Sequence, residues 1–174
     1  MKYCSDCGAP VEFRIPPGDT LPRHVCPACG AIHYLNPKIV VGCIPEYDSR
    51  VLLCRRAIEP GYGKWTLPAG FMENCESADA GAARETLEEA LARVEIDALY
   101  AFYNIPALSQ VYLLFRGRLI DPDFGAGDET LEVGLFSERD VPWDNIAFTV
   151  VRDTLRHYFE EKRQGDFSFH FATL

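Results

Sequence analysis

Short apolar runs separated by polar turns dominate the chain and predict a β-rich fold. Residues 39–44 and 51–55 are apolar and flank the polar turn 48–50, which is typical of a β-hairpin entering a core. The same criteria predict four further strands, at residues 65–68, 94–103, 110–118 and 130–136. The alternation of Phe167, Phe169 and Phe171 predicts a final strand with one apolar face, which could pack on the amino-terminal segment or on a second subunit.

Two segments have helical periodicity. The first is expected to begin after Ser77 as N-cap, with Asp79 in its first turn, and to continue to about residue 94. At about 100° per residue, its apolar positions fall on one side, and we expect that side to face the core: Ala80, Ala83, Leu87, Ala90, Leu91 and Val94. The second helix is predicted over residues 150–162, with Val151, Leu155, Tyr158, Phe159 and Lys162 on or near one side. Strands mixed with two helices indicate an α+β protein.

The polar side of the first predicted helix carries three carboxylates, on Glu85, Glu88 and Glu89. A solvated face is the simpler explanation of such a charge run. However, like charges at these spacings cost about 0.2–0.5 kcal/mol each, and a solvated face usually intersperses Lys. Arg84 can reach Glu88 but cannot neutralise all three groups. The pattern therefore favours a bound Mg²⁺ or Mn²⁺, because hard cations prefer carboxylate oxygen.

Net charge narrows the classes of partner. The 174 residues include 17 Lys and Arg against 26 Asp and Glu, a net charge of −9, which argues against a nucleic-acid-binding groove. Eight of the acids and two of the basic residues lie within residues 73–97, a local net of −6. An anionic substrate would consequently need a divalent metal. No apolar run is long enough for a membrane span or resembles a signal peptide, so we expect a cytoplasmic protein with no membrane partner.

Cysteine spacing identifies a second kind of metal site. Two Cys-x2-Cys pairs, Cys4 with Cys7 and Cys26 with Cys29, are separated by 18 residues, and four thiolates suit a tetrahedral zinc ion. Redox-active pairs or an iron site are the alternatives. A four-thiolate site has no open position, so its expected role is structural. His24 and His33 are interpreted as ordinary turn or surface residues, Cys43 and Cys54 as core residues, and Cys75 as an exposed loop residue.

Asn36 and Pro37 interrupt the chain before the first long strand. We therefore predict a small four-cysteine zinc ribbon over residues 1–37 and a larger domain over residues 38–174.

Residues 70–92 resemble the Nudix box, G-x5-E-x7-R-E-U-x-E-E-x-G-U, where U is apolar. Six fixed positions match at full spacing: Gly70, Glu76, Arg84, Glu85, Glu88 and Glu89. Thr86 and Leu91 depart from the pattern. A four-cysteine ribbon joined through residues 32–38 to such a domain is similar to the zinc-ribbon Nudix hydrolases. Residues 65–70, 131–133 and 167–171 resemble the plant plastid FAD and ADP-ribose pyrophosphatases more than the NADH pyrophosphatases, whose characteristic run after the box is absent.

The resemblance implies a Nudix α/β/α sandwich with a mixed β-sheet and a metal-dependent pyrophosphatase. Such an enzyme would split FAD, ADP-ribose or an NADH-like dinucleotide into AMP and a second phosphate. It also implies that Mg²⁺ or Mn²⁺ is held by Glu85, Glu88, Glu89 and the carbonyl of Ala69, and that Glu85 could instead help to activate water. Arg84 with Glu76 would brace the preceding loop. One more carboxylate commonly comes from outside the box, for which we favour Glu132 over Glu129.

Other substrate-contacting groups are less specific. Basic side chains just before the box could contact phosphate or lie on the surface: Arg55, Arg56 and Lys64. Aromatic and polar candidates for the base or ribose, which could equally be core residues, are Tyr62, Phe71, Tyr103, Phe148, Ser109 and Gln110. The alternative function is a non-catalytic Nudix-like nucleotide-binding module whose ribbon recruits RNA or protein. A third possibility, removal of a dinucleotide cap from RNA, would need a strip of basic residues to bind the RNA, which the net charge of −9 does not suggest. Related pyrophosphatases often dimerise, which leaves a homodimer open.

Overall fold

In the computed structural model, which describes residues 1–174, the chain divides into two compact units, Met1–Pro37 and Lys38–Leu174. The first unit is a small antiparallel sheet of β1 (Glu12–Arg14), β2 (Arg23–Val25) and β3 (Ile32–His33). Its two cysteine turns each end in a glycine with positive φ, +74° at Gly8 and +79° at Gly30. Each glycine N–H donates to the carbonyl of the first cysteine of its pair, which closes the turn.

The second unit is built on an eight-stranded mixed sheet. Its main path is β10-β5-β4-β9-β8-β11, with β6 paired to β5 and β7 to β4, and the pairs β4/β9 and β8/β11 are parallel. The strands are β4 (Lys38–Tyr47), β5 (Arg50–Arg56), β6 (Trp65–Thr66), β7 (Ala69–Phe71), β8 (Val94–Ile105), β9 (Gln110–Leu119), β10 (Thr130–Phe136) and β11 (His170–Thr173).

One helix covers each face of this sheet. Helix α1 (Ala78–Ala90) places Ala82 against Val41 and Cys43 of β4. Helix α2 (Thr149–Gln164) packs Val151, Leu155 and Tyr158 into the larger core cluster that contains Ile44. Since Cys43 and Ile44 are neighbours in a strand, they point to opposite faces. The predicted α/β/α sandwich with a mixed sheet is therefore confirmed.

Most predicted strands lie where the sequence placed them. The β4–β5 hairpin turns at Asp48 and Ser49, both with positive φ (46° and 64°), as expected for a tight hairpin turn. Strand β10 has the predicted bounds, β7 was not predicted, and Cys43 and Cys54 are buried core residues as expected. No helix is long and apolar enough to cross a membrane.

The predicted final strand is displaced. Strand β11 begins at His170 rather than at Phe167, because the N–H and hydroxyl of Ser168 donate to Glu161 of α2 and hold the preceding residues off the sheet edge. Phe167 packs against the core, whereas Phe169 and Phe171 are exposed. Only part of the alternating pattern thus forms an apolar strand face.

Helix α1 contradicts two predictions. It ends at Ala90, and Leu91 adopts a left-handed conformation (φ 48°), so Val94 starts β8 instead of ending the helix. The predicted apolar face is also wrong, since Leu87 and Leu91 are about half exposed. The helix instead buries Gly81, Ala82, Glu85, Thr86, Glu89 and Ala90. Small residues explain this choice: a Cβ at Gly81 would lie 2.9 Å from the Val41 side chain, so only glycine permits the observed approach to the sheet.

Candidate metal centres and active-site cavity

The four cysteines of the first unit form one cluster. Their Sγ atoms all lie within 4.8 Å of one another, with Cys4 and Cys29 3.7 Å apart and Cys7 and Cys26 3.5 Å apart. A zinc–sulfur bond of about 2.3 Å gives a tetrahedron with edges of about 3.8 Å. The sulfurs therefore have the spacing of a four-thiolate zinc site, and no disulfide joins them.

Hydrogen-bond donors contact these sulfurs, among them those of Cys4 and Cys26. The backbone N–H of Asp6 donates to Cys4 Sγ (3.4 Å), and a backbone bond from Cys29 contributes most to lowering the pKa of Cys26 to about 7. His33 Nε2 lies 3.2 Å from Cys4 Sγ, so the interpretation of His33 as an ordinary surface residue is wrong. His24 has no such contact and packs on Phe13 with ring centroids 5.0 Å apart.

In the second unit, Arg84 ties helix α1 to the loop before it. Its Nη2 donates to Glu76 Oε1 (2.8 Å) and to the carbonyl of Phe71 (3.2 Å), and the backbone N–H of Glu73 donates to the same Glu76 oxygen (2.7 Å). The Arg84 bond, followed by the Glu73 bond, lowers the pKa of Glu76 to about 2. Glu76 is therefore an ionised anchor of this loop.

Arg84 also holds two of the three helix carboxylates. Its Nη1 lies 2.7 Å from Glu85 Oε1 and 2.9 Å from Glu88 Oε2. Burial is the main cause of the raised pKa of Glu85, opposed by Arg84. Glu88 is exposed. One guanidinium is thus shared among three carboxylates, which leaves the site acidic.

Glu89 is the least compensated of the carboxylates. It is 9% exposed, it accepts one bond from the Ala69 N–H (3.1 Å), and no Lys or Arg lies within salt-bridge distance. Desolvation is the largest cause that raises its pKa, to about 7. A buried carboxylate of this kind is stabilised in its ionised form by a cation.

The surroundings suit such a cation. A Cβ at Gly70 would lie 2.3–2.4 Å from the Glu85 carboxyl group, so a larger residue there would displace that carboxylate from its present position. Carboxylate and carbonyl oxygens are the donors that Mg²⁺ and Mn²⁺ prefer. Unlike the cysteines, these carboxylates are not gathered into one tight cluster, because Arg84 and the Ala69 N–H hold them separately. The residues fit a divalent cation in chemistry and in charge.

These carboxylates line a large cavity of about 1290 Å³. Its acidic wall is formed by Glu85, Glu88, Glu89, Asp128 and Glu129. Its apolar wall comes from the sheet and the start of α2, with Ile105, Tyr112, Leu114, Phe148, Val150 and Val151. Cavities that bind drug-sized ligands are about 300–1,000 Å³, so this one has room for a ligand with two large groups.

Only one of the two candidates for the additional carboxylate lines the cavity. Glu129 lines it, whereas Glu132 does not and instead forms an exposed ion pair with Arg55 (3.5 Å). Among the basic candidates, Arg56 lines the cavity, and its guanidinium lies 5.1 Å from the ring centroid of Phe148. Arg55 and Lys64 lie outside it.

The other predicted contacts divide in the same way. Phe71, Phe148 and Gln110 line the cavity, and Ala69 does so as well. The remaining candidates do not: Tyr103 is a core residue at 2% exposure, while Tyr62 and Ser109 are exposed away from it.

One element of the site was missed from the sequence. The N–H groups of Gly125 and Gly127 donate to the carbonyls of Ala90 and Glu89, so this loop covers the end of helix α1 and leads directly to Glu129. A Cβ at Gly127 would lie 1.8 Å from the Glu88 carbonyl oxygen. Only glycine fits there. The Gly-Ala-Gly run before Asp128 was the available signal.

Comparison with known proteins agrees with this geometry. Residues 2–35 match the family described as "Nudix N-terminal", which is a zinc ribbon, and residues 36–158 match the NUDIX domain. The second match covers most of the chain, and the chain therefore belongs to the Nudix hydrolase family. It is a zinc-ribbon member of that family of enzymes.

Individual relatives are similar over different lengths. A crystal structure of a NUDIX hydrolase from Nitrosomonas europaea is 60% identical, with a TM-score of 0.98 over 100% of this chain and 99% of that one. The ADP-ribose pyrophosphatase of Methanocaldococcus jannaschii is 29% identical over 71% of this chain and 76% of its own length. The NAD-capped RNA hydrolase NudC of Chromobacterium violaceum is 32% identical over 90% of this chain, which spans only 57% of that relative.

Proposed function

We propose that the chain hydrolyses the pyrophosphate bond of a nucleoside diphosphate linked to a second moiety, with ADP-ribose or an NADH-like dinucleotide as substrate. Water adds to one phosphorus, the bridging P–O bond breaks, and the products are a nucleoside monophosphate and the phosphate of the second moiety. The observation that carries this proposal is the buried, uncompensated Glu89 beside Glu85 and Glu88 in a cavity of about 1290 Å³.

The acidic wall is the proposed site of the divalent metal. Glu85, Glu88, Glu89 and the carbonyl of Ala69 would hold Mg²⁺ or Mn²⁺, which when bound neutralises phosphate charge and lowers the pKa of a coordinated water. Arg84 keeps Glu85 and Glu88 side by side through its two bonds of 2.7 and 2.9 Å, and its bonds to Glu76 fix its own position. Arg84 is therefore a positioning residue.

We propose Glu129 rather than Glu132 as the additional carboxylate. Glu129 lines the cavity, and its charge contributes to the raised pKa of Glu89, whereas the Glu132 carboxylate is turned toward Arg55. The hydrogen bonds of Gly125 and Gly127 to the end of α1 hold the loop that presents Glu129.

The other residues that line the cavity suit a substrate with a pyrophosphate between two larger groups. Arg56 is the one basic residue besides Arg84 that lines it, and it can contact phosphate next to the carboxylate wall. Phe148, over which Arg56 lies, and Phe71 offer aromatic faces to a base. Gln110 offers hydrogen bonds to a base or ribose. FAD rests on the sequence resemblance alone and is the third substrate to test.

Two other functions are less well supported. A binding-only module would gain nothing from three adjacent carboxylates, of which Arg84 pairs with Glu85 and Glu88 and leaves Glu89 unpaired. An RNA-cap hydrolase, as the name of the Chromobacterium relative would suggest, requires contacts to an RNA backbone. The acidic wall and the net charge of −9 disfavour such contacts.

The test is a substrate panel. The zinc-loaded full chain is incubated with Mg²⁺ or Mn²⁺ and ADP-ribose, NADH, NAD, FAD, a diadenosine polyphosphate or an NAD-capped RNA, and AMP or the uncapped RNA is measured. Metal-dependent AMP from ADP-ribose or NADH is expected. No turnover of any member of the panel would contradict the enzyme proposal, and turnover of the RNA alone would contradict the proposed substrate. Light scattering of the same sample tests whether the chain forms the homodimer that the sequence leaves open.

A further inference from the structure

His33 is a polar residue of the first unit that neither the zinc-ligand pattern nor the catalytic proposal uses. It lies in β3, directly opposite His24 of β2, and it is half-buried. Its Nε2 is 3.2 Å from Cys4 Sγ, while the two Cys-x2-Cys pairs already supply four sulfurs. The ring therefore approaches a site whose ligand count is complete.

The direction of this hydrogen bond follows from the chemistry of sulfur. A metal-bound cysteine is a thiolate and has no proton to donate, so the proton must be on His33 Nε2. Cys4 Sγ also accepts the backbone N–H of Asp6 at 3.4 Å. Cys4 is 3% exposed, so water has little access to replace a lost donor.

The charge of the metal centre explains why a hydrogen bond from His33 to Cys4 would be favourable. Four thiolates and one Zn²⁺ carry a net charge of −2, and each N–H donor withdraws part of it from a sulfur. The first unit has three basic residues outside this contact, Lys2, Arg14 and Arg23. Arg14 and Arg23 pair with Glu12 and Asp19 instead of the sulfurs. His33 is the side-chain N–H donor that the structure places against one of the four sulfurs.

We infer that His33 is a positioning residue of the ribbon metal site, which donates its Nε2 proton to the Cys4 thiolate and so tightens the binding of zinc. Donors behind metal ligands of this kind typically change metal affinity by about 10–100-fold when removed. His24 is the matched control, because it occupies the paired position on the adjacent strand and packs on Phe13 without contact to sulfur.

The experiment measures zinc affinity of the full-length chain by competition with a chromophoric chelator. His33→Leu, which removes the donor, should raise the Kd for zinc about tenfold or more. His33→Gln keeps an N–H donor of similar reach and should stay within about threefold of the unchanged protein, as should His24→Ala.

A second readout separates hydrogen bonding from folding. In protein loaded with Co²⁺ at the cysteines, loss of the N–H donor makes the Cys4 thiolate easier to oxidise, so the sulfur-to-cobalt charge-transfer band should move to longer wavelength in His33→Leu but not in His33→Gln or His24→Ala. Equal Kd values for His33→Leu and His24→Ala, or an unmoved band in a His33→Leu protein that binds Co²⁺, would overturn the inference. If His33→Leu binds no metal, the comparison is made with His33→Gln alone, and failure of His33→Gln to bind metal would also overturn the inference.

Discussion

Two regions of this chain present ligands for metal ions, and they do so in opposite ways. In residues 1–37 four soft sulfurs already lie within 4.8 Å of one another, in a unit with three basic and three acidic side chains. In residues 38–174 hard carboxylates line an open cavity, in a unit with 14 basic and 23 acidic side chains, a net charge of −9. Four thiolates around one ion form a closed structural metal site. Separated carboxylates instead suit a divalent cation that binds together with the phosphates of a substrate.

The largest effect that distinguishes the two metal sites is expected from removal of one cysteine sulfur. Cys26→Ser takes away a fully buried ligand, so zinc content should fall from one per chain to none, and amide protection from hydrogen exchange should be lost throughout residues 1–37. Protection within residues 38–174 should persist, because that unit has its own core.

Cys75→Ser is the matched control, since Cys75 is exposed and outside the cluster. Retained protection of residues 1–37 in zinc-free Cys26→Ser would mean that the ribbon folds without its metal.

At the carboxylate site, Glu88→Gln should lower kcat/KM by about a thousandfold, equivalent to about 4 kcal/mol of transition-state stabilisation. Glu88 is exposed, so the melting temperature should hardly change. Glu95→Gln removes a carboxylate that pairs with Arg118 away from the cavity and serves as control. Turnover of Glu88→Gln at the level of Glu95→Gln would exclude Glu88 from the metal site.

The buried Glu89 gives the metal-free protein a characteristic pH dependence. Its pKa is about 7 in the folded protein against an ordinary value of 4.5, so the folded state holds the proton more tightly than the unfolded state. The stability that this proton contributes is fully present below pH 4.5 and is lost as the pH rises through 7. The loss should be about 3 kcal/mol between these limits.

Denaturant unfolding of the zinc-loaded protein, in buffer without Mg²⁺ or Mn²⁺, compares the protein with Glu89→Gln, which keeps an acceptor for the Ala69 N–H. The difference in unfolding free energy between the two proteins should grow with pH in this buffer and shrink when Mn²⁺ is added. A pH-independent difference would contradict the assignment of Glu89 as an uncompensated carboxylate.

The choice between the two additional carboxylates predicts a smaller effect. Glu129→Gln should lower kcat about tenfold, because Glu129 lines the cavity, and Glu132→Gln should stay within about twofold, because its exposed pair with Arg55 contributes little. Steady-state kinetics with Mg²⁺ measure both. The reverse order of effects would restore the expectation for Glu132.

The smallest predicted effect concerns the end of helix α1. Leu91 has a positive φ of 48°, which costs an L-residue about 1–2 kcal/mol, so Leu91→Gly should stabilise the protein by about 0.5 kcal/mol after the entropy of glycine is counted. Leu87→Gly, at a similarly exposed position inside the helix, should destabilise it by about 1 kcal/mol. Chemical denaturation distinguishes the two signs, and equal signs would contradict the left-handed cap.

The sequence anticipated whatever depends on fixed spacing. Two Cys-x2-Cys pairs and the six matched positions of residues 70–89 identified both sets of candidate ligands, since turns and helices of defined geometry bring such positions together. The β4–β5 hairpin was likewise predicted from the polar residues 48–50 between two apolar runs. The hairpin and the helix positions depend on residues close in the sequence, and the cysteine pairs depend on the known ligand spacing of a zinc site.

Features that depend on tertiary packing were not anticipated. The helical wheel assigned the core face to Leu87, but Gly81 and Ala82 pack on the sheet, because their small size permits close approach to Val41. Spacing also could not rank Glu129 against Glu132, since a register shift between Thr130 and Glu132 changes how β10 presents its side chains. The contact of His33 with Cys4 joins residues 29 positions apart.

Manganese titration of the zinc-loaded protein tests the central claim most directly, namely that the acidic face of helix α1 is a divalent-cation site distinct from the cysteine cluster. Isothermal calorimetry, with zinc content measured before and after, should find Mn²⁺ binding in the unchanged protein. Glu88→Gln should weaken that binding at least about tenfold while zinc stays at one per chain. Equal Mn²⁺ binding by both proteins, or Mn²⁺ uptake matched by zinc loss, would contradict the account.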